Sequence, residues 1–121
     1  MENGNLGFIN NDLDNIDYKI NWKHLIQIEN ASGKSFGYPN NDDWNELRIY
    51  SLINNGTLCV LEISIIKNII TDTVQYKSDT IYASSSSYDT IIVAFSTNGV
   101  TVHNMFQNGE LSSGIINVFY K

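Results

Sequence analysis

From Trp22 onward the chain alternates apolar and polar residues in short runs separated by turn residues. Thr57 to Ile65 is the plainest run, with Cys59, Leu61, Ile63 and Ile65 on one side and Val60, Glu62 and Ser64 on the other. A period of two is that of a strand with one buried face. Trp22 to Ile28 repeats it, with Trp22, His24, Ile26 and Ile28 set against Lys23, Leu25 and Gln27. Glu46 to Leu52 forms a further strand, turned by Asn54-Asn55-Gly56, and Asp79 to Ala83 a short one ahead of the loop Ser84 to Ser87. Between the first two strands runs a polar loop, Asn30 to Asp43, with the only proline, Pro39. The β-branched Ile66 to Ile70 favours extended structure over a helical turn. No long amphipathic helical pattern occurs.

The last third is a meander. Tyr88 to Ser96, Val100 to Phe106 and Leu111 to Tyr120 are joined by Asn98-Gly99 and Asn108-Gly109. Asn and Gly best tolerate the positive φ angles of a two-residue hairpin loop. That register pairs Thr97 with Val100, Phe95 with Val102, Ala94 with His103, Phe106 with Leu111 and His103 with Gly114. One face then holds Ile91, Val93, Phe95, Val102, Phe106, Leu111, Ile115 and Phe119 as core. The opposite face holds Ile92, Ala94, Met105, Ile116, Val118 and Tyr120. It is too apolar for water and is expected to be covered by the rest of the domain or by a sister subunit. Asn104 falls on that face and would need a buried partner.

At 121 residues, 42% hydrophobic and 17% charged, the chain suits one folded domain with a single core. Residues 1–20 are an Asn- and Asp-rich lead-in and residues 21–121 the domain. About seven or eight strands ending in a hairpin meander predict an all-β, antiparallel, jelly-roll-like sandwich. A net charge of -6 argues against nucleic acid and anionic membranes as partners. The apolar stretch Ile63 to Ile70 is too short and polar to insert into a bilayer. The start, Met-Glu-Asn-Gly, lacks the features of a signal peptide, so synthesis in the cytoplasm without Sec export is expected.

Catalytic or metal-binding chemistry finds little support. Gly33-Lys34-Ser35 resembles the end of a P-loop, but the earlier glycine is missing and Pro39 blocks the following helix. Asp12, Asp14, Asn15 and Asp17 lack the glycine and terminal glutamate of a calcium loop. Asp42, Asp43 and Glu46 suit turn capping better than a cation site. His24 and His103 have no partner at ligand spacing, and Cys59 has the setting of a buried thiol. No enzyme, cofactor or metal is expected.

The order of elements carries a resemblance. Trp44-Asn45-Glu46-Leu47-Arg48-Ile49-Tyr50 opens a strand, an apolar strand runs into Ile65-Ile66-Lys67-Asn68-Ile69-Ile70, and a double Asn-Gly meander closes on Val118-Phe119-Tyr120-Lys121. From Trp22 to Lys121 this resembles the C-terminal receptor-binding domain of tail-fibre and baseplate proteins from phages and prophages of low-GC Gram-positive bacteria. The resemblance implies a virion component, commonly a homotrimer, attached to other tail proteins and binding a host cell-wall saccharide or surface receptor. Ring faces that stack on sugars beside hydrogen-bonding groups nominate the ligand residues. These are Tyr38, Asn40, Asn41 and Asp43 in the long loop, with Tyr76, Tyr82 and Tyr88. The alternative is a structural virion part, a trimer cap or spacer that binds only its own subunits.

Overall fold

A computed structural model describes residues 22–54, 58–82, 84 and 87–121; side chains at 52–54 and 58–59 are not described. The lead-in with Asp12, Asp14, Asn15 and Asp17, the turn residues Asn55 and Gly56, and the Cys59 thiol lie outside the described residues. The strands are β1 (Lys23–Ile28), β2 (Ser35–Phe36), β3 (Glu46–Asn54), β4 (Leu58–Ile66), β5 (Gln75–Tyr82), β6 (Tyr88–Ser96), β7 (Gly99–Gln107), β8 (Glu110–Ser112) and β9 (Ile115–Tyr120). They form two sheets. One has the order β1-β9-β3-β4, and the other β2-β7-β6-β5 with β8 beside β7. All pairings are antiparallel, so the expected all-β sandwich is the architecture.

Alternation builds the core. Leu47 and Ile49 of β3, Leu61, Ile63 and Ile65 of β4, and Ile116 and Val118 of β9 face Ile91, Val93 and Phe95 of β6 and Val100, Val102 and Met105 of β7. Each such side chain contributes about 1.5–3 kcal/mol on leaving water.

The meander is where sequence and structure part. It holds only as far as Ser112; at Ser113 and Gly114 the chain leaves β7 and enters the other sheet, where β9 pairs with both β1 and β3. His103 therefore does not oppose Gly114. The Asn108-Gly109 loop is as expected, with φ of 54° and 80° and Phe106 opposite Leu111. The preceding loop is instead Thr97-Asn98, which pairs Ser96 with Gly99 and Phe95 with Val100. A bulge then falls where Val93 pairs with Val102 and Ile92 with Asn104, leaving His103 as the extra residue.

The bulge changes which face the later residues occupy. Val102 and Met105 both turn inward, while Phe106 and Leu111 turn outward, Leu111 with 72% of its surface exposed. Met105, Ile116 and Val118, expected on a second apolar face, are in the sandwich core. Ile92 and Ala94 of that expected face stay on the outer side of β6, and Asn104, opposite Ile92, is half-buried rather than sealed in an apolar layer.

Other differences are local. The polar loop contains β2, held to β7, with Phe36 buried. Lys67–Ile69 is a 3-10 turn, which lets Lys67 N donate to the Asn45 carbonyl across the end of the sandwich. β5 starts before Asp79, and a bulge at Leu25 breaks the alternation of β1, so that Leu25, Ile26 and Ile28 all pack on the core.

Gly99 tests this register. Its φ is 127°, and a Cβ there would lie 2.8 Å from the Phe36 carbonyl oxygen. We predict that Gly99→Ala costs clearly more than Gly33→Ala, where φ is 82° and nothing lies within 4 Å of the added Cβ, leaving only the left-handed strain of about 1 kcal/mol. Urea denaturation of both variants checks it; equal costs would contradict the approach of β2 to Gly99.

Candidate functional site

The residues nominated from sequence separate into three places. Tyr38 is a packing residue: its ring stacks on buried Trp44 at 5.4 Å and 13°, and its hydroxyl donates to the Ser96 carbonyl at 2.6 Å. Burial raises its pKa. Asn40 is exposed. Asn41 and Asp43 line a polar cleft of about 400 Å³ together with Lys23, Asn45, Glu46, Tyr120 and Lys121.

That cleft is largely committed internally. Asn41 Oδ1 accepts from the Asp43 backbone N–H, and the Lys121 carbonyl accepts from Asn45 and Glu46 N–H. The Glu46 carboxylate is taken by Ser64 Oγ and by Arg48, whose other nitrogen meets Glu62 at 3.0 Å. Burial works to raise the Glu46 pKa, but hydrogen bonds from Ser64 and Arg48 and the charges of Arg48 and Lys121 outweigh it and hold the carboxyl below its ordinary value. Arg48 is also desolvated, yet its bonds to Glu46 and Tyr50 and the charges of Glu46 and Glu62 keep it protonated more firmly than usual. Trp22 covers this network, with the Arg48 guanidinium 4.6 Å and Lys121 Nζ 4.9 Å from its ring.

The remaining three tyrosines converge on the outer face of the five-stranded sheet. Tyr76, Ser78, Thr80 and Tyr82 of β5 point outward, because the register places them opposite Ala94, Ile92, Thr90 and Tyr88. Tyr76 (60% exposed) meets His103 edge-on at 5.4 Å. Tyr82 (69% exposed) lies 5.7 Å from Tyr88, which lies 6.1 Å from Phe106, and Phe106 faces Leu111 across the β7–β8 ladder. Between these groups the hydroxyls of Thr80 and Thr90 bond at 2.8 Å. Beside Tyr76 is a hollow of about 130 Å³ bordered by Ser35, Val74, Ala94, Asn98 and Thr101.

Sequence reasoning missed His103, Phe106 and Leu111 as members of this surface. The bulge that turns them outward leaves no mark in the alternation. It also missed the absence of charge. The charged residues of β5, Lys77 and Asp79, face the other way: Lys77 Nζ donates to the Ser64 carbonyl and Asp79 Oδ2 accepts from Glu62 N–H. No Asp, Glu, Lys or Arg stands among the outward positions of β5, β6 and β7.

The other candidates stay apart. His24, on β1, bonds Asn117 and packs on Phe119, remote from His103 in the opposite sheet. Among the described residues no three of His, Cys, Asp and Glu gather as a metal site, and no helix is long and apolar enough to cross a membrane. Comparison with family models, curated proteins and solved structures finds no match.

The Glu46 network makes stability depend on pH in a definite direction. A carboxyl with a lowered folded-state pKa stabilises the fold above its unfolded value of about 4.3, and that contribution is lost as pH falls through the folded value. Glu46→Gln should melt lower than the parent at neutral pH and lose less on acidification from roughly pH 6 to pH 3. Thermal melts across that range decide it; parallel curves would mean that Glu46 is not linked to folding.

Proposed function

We propose that the chain is a non-catalytic adhesion module of the phage tail-fibre or baseplate kind, which holds a host cell-surface saccharide or receptor against the outer face of its five-stranded sheet. The observation that carries this reading is the aromatic surface of exposed Tyr76, His103 and Tyr82 and half-buried Tyr88 and Phe106, with no Asp, Glu, Lys or Arg among the outward positions of its antiparallel strands. Rings fixed by strands bind with little loss of conformational freedom, and neighbouring Ser, Thr and Asn groups supply hydrogen bonds. Of the loop residues first nominated, Asn41 and Asp43 line the cleft with Lys23 and Lys121, Asn40 stands exposed on the same loop, and Tyr38 packs on Trp44, so this reading leaves them out of the contact.

In the same reading the chain is carried on a virion tail. Its assembly as a homotrimer is what the family resemblance implies; of the apolar face that also argued for it, Met105, Ile116 and Val118 are in the core while Ile92 and Ala94 stay on the outer side of β6, and light scattering measures the assembly directly.

Purified protein should bind cell walls of low-GC Gram-positive bacteria. Tyr82→Ala and Tyr88→Ala should each weaken that binding by roughly 0.5–1.5 kcal/mol with little change in melting temperature. Tyr38→Ala should do the reverse, losing about 3 kcal/mol of stability while the folded fraction keeps its affinity. Sedimentation binding and thermal melts on the three variants make the comparison. If Tyr82 and Tyr88 variants bind like the parent, this face is not the contact; if the parent binds no wall at all, a structural tail component replaces the adhesion reading.

A further inference from the structure

Taking the outer face of the five-stranded sheet as the binding surface, we infer that its ligand is an uncharged, extended polysaccharide lying along the strands over two separate aromatic stations. A single terminal sugar would not use both. One station is Tyr76 with His103, whose rings meet at 5.4 Å. The other is Tyr82 with Tyr88, at 5.7 Å. Both stations involve β5, and the six steps from Tyr76 to Tyr82 cover roughly 20 Å at the rise of an antiparallel strand. A mono- or disaccharide spans only one station, whereas a chain of several rings reaches both. Exposed Ser78 and half-buried Thr80, the latter bonded to buried Thr90 at 2.8 Å, lie between the stations and offer hydroxyl groups to the middle of the chain instead of further stacking.

Charge and area select this occupant. The protein carries -6 overall, yet its outward positions on β5 to β7 hold no ionised carboxylate, ammonium or guanidinium, because Lys77 and Asp79 reach inward to β4. A phosphate-bearing polymer or a charged peptide would find no Lys, Arg, Asp or Glu here to pair with, and desolvating its charges against this face would be unfavourable. A second protein is also a poor fit. Three inter-strand spacings by the length between the stations give on the order of 300 Å², against about 800 Å² per partner in a standard protein interface. Outward-facing rings flanked by hydroxyl groups are suited to a neutral sugar chain, whose C–H faces are apolar and whose edges form hydrogen bonds.

The test uses β-1,4-linked N-acetylglucosamine and glucose oligosaccharides, each as the disaccharide and the hexasaccharide, with isothermal titration of the full chain. For at least one series the hexasaccharide should bind roughly tenfold or more tightly than the disaccharide, the gain expected when a second stacked station is engaged. Tyr76→Ala and Tyr82→Ala should each bring the hexasaccharide back toward disaccharide affinity, while the melting temperature stays near that of the parent. Equal affinity for the two lengths overturns the two-station chain and leaves the binding face in place. So does a hexasaccharide that responds to only one of the two variants. Tighter binding of an anionic polymer, with hyaluronan as the probe, overturns the neutral ligand. If the hexasaccharides, disaccharides and hyaluronan are all ignored while cell walls are bound, the polysaccharide inference fails and the adhesion reading survives; if cell walls are ignored as well, both fail.

Discussion

The sandwich depends on where β9 lies. It pairs with β1 on one side and β3 on the other, and among the described residues β1 has no other partner in its sheet. Remove β9 and that sheet falls into a β3–β4 hairpin and a lone strand. The same strand puts Ile116 and Val118, both without solvent exposure, into the layer between the sheets. Backbone pairing and apolar burial thus require the same crossover at Ser113 and Gly114. Once the chain has crossed there, β8 is a short edge piece, and no described strand covers the outer face of the sheet it leaves.

The two flanks of the sandwich are closed differently. On one, the chain entering β2 runs beside the chain leaving β8: Ala31 N–H donates to the Gly114 carbonyl, and Gly33 N–H to that of Val102. On the other, β4 would present a bare strand edge, the usual template for unwanted pairing. Lys77 and Asp79 occupy part of it by bonding the Ser64 carbonyl and the Glu62 N–H. These contacts join the two sheets. They also draw the charges of β5 to its inner side, so the protection of one edge and the neutrality of the outer face share a cause.

Much of this was readable from the residues. Leu61, Ile63 and Ile65 alternate into the core as their spacing predicts, and Asn108-Gly109 makes the expected loop, because both features are set by neighbours in sequence. The bulge at His103 was not readable. One added residue inverts the faces of everything after it, and the residues beyond, Met105 and Phe106, are apolar enough to suit either side. The crossover was hidden for a related reason: a strand from Leu111 to Tyr120 satisfies local alternation, and only the competition between two sheets for Ile116 and Val118 breaks it. Tyr38 misled by position, since a loop residue near Asn40 and Asn41 gives no sign that Trp44 and the Ser96 carbonyl will enclose it. The grouping of Tyr76, Tyr82 and Tyr88 on one face was within reach, because Tyr76 and Tyr82 share the parity of one strand, but β5 had to be extended back from Asp79 to see it.

The two outer faces impose different physics on any partner. On the four-stranded sheet, Arg48 is held by Glu46 and Glu62 under the ring of Trp22, so its charges are spent within the molecule. On the five-stranded sheet there is no such charge to spend or to steer with. Association there must proceed without the electrostatic acceleration that charged surfaces provide, and each stacked ring adds only about 0.5–1.5 kcal/mol. One copy working through this face would therefore hold a sugar chain weakly and release it readily. Firm attachment would then need several copies acting on one polymer, where the effective concentration of the second site multiplies the strength of the first. In that reading assembly has a functional motive that does not depend on an apolar face waiting to be covered: what multiple subunits would add is avidity.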